Sequence, residues 1–410
     1  MTKIFLMGAQ LSENFGGPSV LISTIKTLNK FIPNLEFTFL SPNKKDCKWS
    51  EKYGIKVIPY PKTRLLYPTL LVAFLLKKLG LNISSMLKGS TREIWNEYNS
   101  ADMIVDIWGI MFSDSFDKKF IPCAMIGAHF FLGKLLKKPV VKYTADMGPF
   151  NNRWNRFFVN FYLNKIDVIF ARGNETKKSL IGIKVVTPIH VYPDTAFLLE
   201  KTPNKKIDGL IHQKKSNKKC VVGVSVSCKL EHEERYKDQY TTIMAQTIDY
   251  LVKDLNAFVF LIPNEIIPNV YNDSEVAKKI YEKVIKKEEV MILLDEYSAG
   301  ELKGVISKCD FIIAARYHSI IAAISSCVPT IAISWHHKYH QVLKMVGQED
   351  YLCDIESLNF DLLKQKIKKL CKNRKRIRTK ISSKIPSIKE SVLEGGKMTR
   401  NLLERYKKLA

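Results

Sequence analysis

Short apolar runs alternate with longer segments of helical periodicity along almost the whole chain. In the first half, runs of the kind that form buried strands occupy 3–8, 35–40, 55–60, 101–108, 139–144, 166–171 and 190–194. In the second half, they occupy 220–227, 257–262, 290–294, 311–315 and 330–334. Segments with a period near 3.6 residues lie between these runs. Strands that alternate with helices in this way predict parallel, doubly wound sheets.

The alternation is interrupted once, at 200–219, where Lys, Asn and turn residues dominate. We interpret this segment as a linker between an N-terminal Rossmann-like domain, 1–199, and a C-terminal one, 220–387. The predicted fold class is α/β, with two doubly wound parallel-sheet domains that face a cleft. A basic helical segment ends the chain, and its last helix, 388–410, could pack back on the first domain.

The composition fits a globular chain with a strong positive charge. Of the 410 residues, 46% are hydrophobic, and 65 Lys and Arg against 40 Asp and Glu give a net charge of +25. Such a surface attracts phosphates, acidic sugars, nucleic acid or anionic lipid, although a generally lysine-rich composition explains the charge equally well. The eight cysteines form no C-x-x-C pair, which indicates a reducing cytosol without disulfides or a zinc ribbon.

Two apolar segments bear on where the protein is located in the cell. Neither of them predicts a transmembrane helix or a signal peptide. The N-terminal run is too short for a signal peptide, and the segment 65–76 is too short to cross a bilayer. We interpret 65–76 as a core helix, with a helix at a membrane interface as the alternative. The chain is therefore expected in the cytoplasm, and peripheral attachment to the inner membrane face stays open.

Charged and titratable side chains collect at or just after the predicted strand ends. The cationic ones are Arg172, Arg316, His318 and Lys338, and the acidic ones are Asp106, Asp114, Asp146 and Glu175. The carboxyl ends of parallel strands line the ligand crevice of such sheets. Two arginine forks there could grip a small dianion, and His318 could move a proton. The loop with Asn14 and Gly16 could approach a ligand or form a simple turn.

Each of these candidates also has a purely structural interpretation. Arg316 could be a surface arginine, His318 a helix cap, and the carboxylates turn formers. His336, His337 and His340 could suggest a metal, but no carboxylate stands at a suitable spacing, so we predict no metal site. The chain has no G-x-S-x-G, H-E-x-x-H or P-loop motif, which argues against several classes of hydrolase and phosphotransferase.

Together these residues resemble the polysaccharide pyruvyl transferase family, from residue 1 to about residue 350. The resemblance is most specific at Arg316-Tyr317-His318, which Cys327-Val328-Pro329 and Lys338 follow. The looser points of likeness are Asn14 with Gly16-Gly17, the segment 106–114, Tyr143 with Gly148-Pro149-Phe150, Arg172, and Pro193-Asp194. The chain departs from the family pattern at Gly17, at Trp108-Gly109 and at Asp146-Met147.

The resemblance implies a fold like the two-domain glycosyltransferase type B, with phosphoenolpyruvate as the donor. It implies a pyruvate ketal on a sugar as the product, without a cofactor or a metal. By motif position, Arg172, Arg316 and His318 match the donor-binding residues of the family, and Lys338 is added to them.

Catalytic and acceptor-side roles follow from the same resemblance. His318 is the candidate acid or phosphate partner, and Arg316 stands beside it. Asp106, Asp114 or Asp146 could deprotonate the acceptor hydroxyl. The residues expected to contact the acceptor are Asn14, Gly16, Asp146 and Glu175.

Two functions of other classes remain open at this point. A nucleotide-sugar-dependent glycosyltransferase of the same fold would use Arg316 and Lys338 on a diphosphate. A non-catalytic protein would bind nucleic acid or an anionic membrane through its charge. Nucleic acid is disfavoured as a partner, because charge alone would not place the candidate side chains at strand ends. The sequence leaves the acceptor glycan open, and the acceptor could be lipid-linked.

Overall fold

The structure is a computed structural model that describes residues 1–61, 66–81, 83–114, 120–217, 219–231, 238–267, 271–335 and 338–409. The chain divides into two compact units. Unit 1 consists of Met1–Ser12, Val20–Thr195 and Ser391–Ala410, and unit 2 consists of Glu13–Ser19 and Ala196–Glu390. The chain therefore passes between the units four times, and a loop near its start belongs to unit 2.

The sheet of unit 1 has eight strands, which pair in parallel. Its strands are β1 (Thr2–Met7), β2 (Leu35–Ser41), β3 (Lys56–Pro59), β4 (Met103–Asp106), β5 (Ile110–Met111), β6 (Val140–Met147), β7 (Val168–Ala171) and β8 (Ile189–Val191). They stand in the order β3-β2-β1-β4-β6-β7-β8, and β5 pairs with β6. Every residue of β4, β6 and β7 is buried, as expected of strands that helices cover on both faces.

The helices of unit 1 follow its strands in sequence. They are α1 (Gly16–Phe31), α2 (Ser50–Tyr53), α3 (Leu66–Lys78), α4 (Gly89–Ser100), α5 (Phe120–Ile126), α6 (Ala128–Leu135), α7 (Arg153–Leu163) and α8 (Asn174–Gly182). The helices α5 and α6 are separated at Gly127, where the Tyr162 ring packs so closely that a Cβ would lie 2.2 Å from its Cδ2. Among the described residues, no helix is both long and apolar enough to cross a membrane.

The main sheet of unit 2 has six parallel strands. The strands of this unit are β9 (Cys220–Ser225), β10 (Ala257–Leu261), β11 (Ile266–Ile267), β12 (Tyr271–Asn272), β13 (Val290–Ile292), β14 (Phe311–Ala314), β15 (Thr330–Ser334) and β16 (Leu352–Asp354). The main sheet runs β13-β10-β9-β14-β15-β16, while β11 and β12 form an antiparallel pair. The edge strand β16 was not predicted, because its three residues carry no periodic pattern.

The helices of unit 2 complete the alternation. They are α9 (Lys205–Ser216), α10 (Cys228–Glu231), α11 (Gln239–Asp254), α12 (Asp273–Lys283), α13 (Ala299–Lys308), α14 (Tyr317–Ser325), α15 (Lys338–Met345) and the long α16 (Phe360–Leu409), which ends in unit 1. The segment predicted as a linker, 200–219, thus contains α9. Asn204 caps this helix by accepting from the Ile207 amide, and Ile207 and Ile211 bury one face of it.

The C-terminal part of α16 packs within unit 1. Tyr406 donates its hydroxyl to Asp167 Oδ1 at 2.7 Å, and Lys134 donates to the Tyr406 oxygen at the same distance. Gly396 lies so close to Thr27 that a Cβ would come within 2.6 Å of its methyl group. These contacts join the last turns of the chain to α1, α6 and the loop before β7.

Each main sheet has one point where its strand order reverses. In unit 1 the reversal lies between β1 and β4, and in unit 2 it lies between β9 and β14. In open parallel sheets, the carboxyl ends of the strands at this switch point form the place where ligands bind. The predicted α/β class, with two doubly wound parallel sheets, is confirmed.

Candidate functional site

Arg316 lies between β14 and α14, at the switch point of unit 2. Its guanidinium group is paired with two carboxylates: Nε donates to Asp273 Oδ2 at 2.9 Å, while Nη2 donates to Asp273 Oδ1 and Nη1 to Glu265 Oε2. Arg316 is only 7% exposed. Burial opposes its charge, but the two carboxylates raise the pKa of Arg316 above its usual value. Arg316 is therefore permanently charged, and each of its three nitrogens donates to a carboxylate.

Asp273 collects further donors around the same cluster. The backbone N–H groups of Cys228, Asn264 and Glu265 donate to its carboxylate at 2.8, 3.0 and 3.0 Å. The cluster therefore ties the segment after β9, the loop after β10 and the start of α14 together. Arg316 was predicted to bind the donor with its guanidinium fork; each of its three nitrogens already donates to a carboxylate, and a direct contact with the donor stays a prediction.

His318 lies in the first turn of α14, two residues after Arg316, and is partly exposed. Its imidazole stands directly against Gly16, where a Cβ would lie 2.3 Å from Nδ1. Only glycine leaves room for the ring in this position. Of the three cationic residues predicted in the second domain, His318 is the least buried.

The loop Glu13–Ser19 brings Gly16 to this place. The Phe15 amide donates to the Asn264 carbonyl at 2.9 Å, and the Ile266 amide donates to the Glu13 carbonyl at 3.0 Å. Asn14 caps α1 by accepting from the Gly17 amide at 2.9 Å. Asn14 and Gly16 were predicted on the acceptor side of the first domain, but the structure groups both with His318 in unit 2.

Lys338 and Lys229 lie around the Trp335 ring. Lys338 Nζ is 5.0 Å from the ring centre of Trp335, 5.1 Å from that of Tyr317 and 5.7 Å from that of Tyr339. Lys229 Nζ is 5.1 Å from the Trp335 ring centre, and burial lowers the pKa of Lys229. Cation–π attraction holds both ammonium groups here. Sequence reasoning missed Lys229, although its place just after β9 was a signal.

Asp106 ends β4 at the switch point of unit 1. It forms a buried network with Lys142, whose Nζ donates to Asp106 Oδ1, and with His129, whose Nε2 lies 2.8 Å from Asp106 Oδ2. Burial alone would raise the pKa of Asp106, but Lys142 and His129 hold the pKa of this carboxyl well below its usual value. The predicted role of Asp106 as a base does not fit, because the carboxylate is completely buried and doubly paired.

The network around Asp106 binds both the amide and the carbonyl group of Trp108. The Trp108 amide donates to Asp106 Oδ1 at 3.0 Å, and Lys142 Nζ donates to the Trp108 carbonyl at 2.7 Å. Gly8, with φ +95°, passes so close that a Cβ would lie 2.5 Å from the Trp108 nitrogen. The indole is nevertheless 45% exposed. Sequence reasoning missed this residue as a site candidate.

Arg172 follows β7 and repeats the arrangement of Arg316. Nη1 donates to Asp146 Oδ2 at 3.0 Å, Nη2 lies 2.9 Å from Asp194 Oδ2, and Nη2 also donates to the Thr144 carbonyl at 3.3 Å. Arg172 and Asp146 are both buried. The predictions of a free donor fork at Arg172 and of an acceptor contact at Asp146 do not fit, because the two residues bind each other.

The remaining predicted carboxylates have ordinary structural contacts. Asp114 accepts from the Asn151 amide, from the Asn152 amide at 3.2 Å and from Asn155 Nδ2 at 2.9 Å, and so orders the start of α7. Glu175 is exposed in the first turn of α8 and pairs with Lys178 at 3.0 Å. The expected roles of Asp114 in deprotonating an acceptor and of Glu175 in contacting it stay predictions.

Of the three histidines considered for a metal, the structure describes only His340. His340 is exposed on α15, and His336 and His337 lie outside the described residues. Within the described part of the chain, no group of three or more His, Cys, Asp or Glu side chains could hold a metal ion. The chemistry at the switch points is thus that of ion clusters, aromatic rings and His318.

Solved structures with the same arrangement of elements define the class of fold. The S. aureus MnaA–UDP co-structure matches 100% of this chain and 98% of its own, at 13% identity and a TM-score of 0.64. A glycosyltransferase from Rickettsia africae matches 99% of this chain and 98% of its own, at 12% identity and a TM-score of 0.58. The fold is that of the glycosyltransferase type B-like glycosyltransferases and epimerases.

Sequence comparisons assign the chain to one family, which is a narrower group than the fold class. The family model for polysaccharide pyruvyl transferase matches residues 14–337, and the chain belongs to this family. A curated relative, the amylovoran biosynthesis protein AmsJ of Erwinia amylovora, is 22% identical over 311 residues, which cover 74% of this chain and 72% of the relative. The resemblance stated from the sequence is thereby confirmed, and it places the chain among transferases of polysaccharide biosynthesis.

Proposed function

We propose that the protein transfers the enolpyruvyl group of phosphoenolpyruvate onto a sugar of a polysaccharide or of a lipid-linked glycan. The products are a pyruvate ketal on the sugar and inorganic phosphate. The observation that carries this proposal is the position of His318, partly exposed at the switch point of unit 2 and held against Gly16. Membership of the pyruvyl transferase family supports it.

The donor carries a phosphate and a carboxylate, so its site needs several positive groups and N–H donors. His318, Lys229 and Lys338 provide them in our proposal, together with the N–H groups of the first turn of α14. Arg316 acts behind them as a positioning residue, since its ion pairs fix the turn that carries His318. Arg172 has the corresponding task at the carboxyl ends of β6 and β7.

The reaction needs one proton at the start and two sugar hydroxyls. A protonated His318 gives its proton to the methylene carbon of phosphoenolpyruvate, and the adjacent carbon becomes electrophilic. One hydroxyl oxygen bonds to that carbon, the bond to the phosphate oxygen breaks, and the second hydroxyl oxygen takes its place. Of the two hydroxyl protons, one restores His318 and the other leaves with the phosphate, so that atoms and charge balance.

The test is the release of phosphate from phosphoenolpyruvate in the presence of glycan acceptors, compared with the turnover of nucleotide sugars. We expect release with an acceptor, and a fall of about 10²- to 10⁴-fold in the His318→Asn variant, the usual contribution of general acid catalysis. His340→Asn changes an exposed histidine of the same unit and serves as the matched control. Turnover of a nucleotide sugar without phosphate release from phosphoenolpyruvate would establish the glycosyltransferase alternative instead.

A further inference from the structure

Trp108 occupies a place in unit 1 where solvent-exposed aromatic rings are unusual. It follows β4 by two residues, and Gly8, which follows β1 directly, packs against its backbone. These two strands flank the switch point of the sheet, which is the preferred ligand position in this type of fold. Most aromatic rings in the described part of unit 1 are buried or half-buried, whereas Trp108 is exposed.

The surroundings of Trp108 fix its backbone and leave its ring exposed. Asp106 accepts from the Trp108 amide, and Lys142 donates to the Trp108 carbonyl. Both charged residues are completely buried, and His129 holds the far oxygen of Asp106. A buried ion network is a costly way to hold a turn, and it holds this one in a single geometry. Gly8 adds to this, because any side chain there would collide with Trp108.

We propose that the indole face of Trp108 is the platform on which a pyranose ring of the acceptor glycan stacks. An indole offers a large apolar face at low conformational cost, and the C–H face of a sugar ring is its natural complement. Arg172 lies on the other side of Gly109, where a Cβ would come within 2.9 Å of its Nη2. The proposal rests on the proposed function only in naming the sugar as the acceptor of the transfer.

The first experiment separates binding of the acceptor from binding of the donor. We expect Trp108→Ala to raise the KM for the glycan acceptor by about tenfold or more, as the loss of one aromatic stacking surface does. The KM for phosphoenolpyruvate should stay within about twofold, because the donor site belongs to unit 2. Trp108→Phe should recover a large part of the acceptor KM.

The matched control is Ile181→Ala. Ile181 is 56% exposed in unit 1 but lies at the end of α8, which runs back towards the opposite edge of the sheet. This variant should leave both KM values unchanged. An equal rise of both KM values in Trp108→Ala, without recovery by Trp108→Phe, would reduce Trp108 to a structural residue and overturn the proposal.

A second readout does not depend on catalysis. Saturation-transfer NMR with methyl pyranosides of glucose, galactose, mannose and N-acetylglucosamine, without phosphoenolpyruvate, should show sugar C–H protons in contact with the wild-type protein and lose the signal in Trp108→Ala. This result would stand even if no transfer from phosphoenolpyruvate were found. Uridine is included as a further probe. Equal sugar signals in both proteins would overturn the proposal that Trp108 binds a sugar. A uridine signal that depends on Trp108, with no signal from the pyranosides, would also overturn it.

An independent observation concerns the layer of helices α3, α5, α6 and α7 in unit 1. These four helices contain no Asp or Glu, and their basic residues are Lys77, Lys78, Lys134, Arg153 and Arg156. Large apolar side chains are exposed on the same helices, namely Val72, Leu75, Phe120, Ile121, Phe157 and Phe161. A soluble surface normally mixes both signs of charge and exposes few such side chains.

The exposed side chains belong to one continuous layer. The helix α3 packs on α6, and α5 and α6 both pack on α7. The rings of Phe131 and Phe161 are 5.7 Å apart, and those of Phe120 and Trp154 are 4.9 Å apart. Lys165 Nζ lies 4.7 Å from the ring centre of Phe161, so basic and aromatic groups alternate at the edge.

We infer that this layer docks on the surface of an anionic phospholipid bilayer. Aromatic and aliphatic side chains enter the headgroup region, while Lys and Arg bind the lipid phosphates, as in interfacial helices. Lys134 is already paired with Asp167, but Lys77, Lys78, Arg153 and Arg156 still leave the four helices with an excess of positive charge. This charge complements an anionic lipid surface, whereas two copies of the layer would repel each other. Such docking would bring unit 1 to glycans that are carried on lipid.

Vesicle sedimentation tests this inference. We expect binding to vesicles of phosphatidylglycerol but not of phosphatidylcholine, and at least about a tenfold loss of binding in a Phe157→Ser, Phe161→Ser variant that keeps every charge. Ile181→Ser, Val186→Ser is the matched control, since both residues are exposed elsewhere in unit 1. Unchanged binding in the Phe variant would assign vesicle binding to the net charge alone. A dimer that dissociates in the Phe variant would assign the face to a second copy; either result overturns the inference.

Discussion

The two switch points of the molecule are built alike but offer opposite chemistry. In unit 1, the buried residue at the strand end is an anion, Asp106, which Lys142 and His129 hold. In unit 2 it is a cation, Arg316, which Asp273 and Glu265 hold. In each, a more exposed ring stands two residues further along the chain: Trp108 in one unit and His318 in the other.

The comparison shows that the conspicuous charge at a strand end is a scaffold. Asp106 and Arg316 are buried and ion-paired, and these contacts fix the turns that follow them. In our proposals, the residue that contacts the ligand differs between the units, with Trp108 binding a sugar and His318 transferring a proton. An apolar indole suits the face of a sugar, and an imidazole suits proton transfer.

The largest expected effect is on the cluster of unit 2. Arg316→Met should lower the free energy of unfolding by about 3–5 kcal/mol, because it leaves Asp273 as a buried charge, and Glu265 as a half-buried one, without their partner. Urea denaturation followed by circular dichroism measures this. Arg374→Met removes a half-exposed ion pair with Asp310 in the same unit and should cost at most about 1 kcal/mol. Equal costs for both variants would contradict the scaffold role.

The corresponding change in unit 1 should cost somewhat less, since only one carboxylate loses its partner. Lys142→Met should lower the free energy of unfolding by about 3 kcal/mol. Because Lys142 also holds the Trp108 carbonyl, the KM for the acceptor should rise with it. The double variant Lys142→Met, Asp106→Asn should recover part of the stability, and a double variant less stable than Lys142→Met would show that the two charges do not act as a pair.

A smaller effect is expected at the contact between Gly16 and the imidazole ring of His318 in unit 2. Gly16→Ala would place a methyl group against His318 Nδ1 and displace the imidazole, so turnover should fall by about 10- to 100-fold, as misplaced catalytic groups cause. Thermal unfolding should change little, because the ring can move towards solvent. Gly209→Ala in α9, where nothing lies within 4 Å, is the control. Wild-type turnover in Gly16→Ala would remove His318 from the mechanism.

The smallest effect is the pH dependence that Asp106 contributes. Its folded pKa lies below the usual 3.8, so its stabilising contribution is complete above that pH and is lost as the pH falls towards the folded value. Asp106→Asn should therefore flatten the acid limb of a stability profile measured from pH 6 downwards. Asp254→Asn, an exposed carboxylate of α11, should leave that limb as it is in the wild type.

The sequence predicted the longer strands, the fold class and the family, because these depend on apolar runs and on a short motif. It did not predict the ion partners, which lie far away along the chain: Lys142 is 36 residues from Asp106, and Asp273 and Glu265 are 43 and 51 residues from Arg316. A lysine inside the apolar run of β6 was the available signal for a buried pair.

Some local features of the structure were not predicted from the sequence, because they depend on individual contacts. Gly127 separates α5 from α6 where a ring from α7 occupies the space of its side chain, which no periodic pattern reveals. The segment 200–219 has the composition of a linker, yet the cap at Asn204 and two isoleucines four residues apart are enough for a helix. Arg172 and Arg316 were predicted as free forks because their partners come from other strands and loops.

The four crossings of the chain between the units have a consequence for recombination among relatives. A chimera joined at a single point near residue 195 would take the loop Glu13–Ser19 from one parent and His318 from the other. The contact between Gly16 and His318 would then join residues from two parents, which did not evolve together. Exchange of unit 1 as a whole therefore requires that residues 13–19 stay with the parent that provides unit 2.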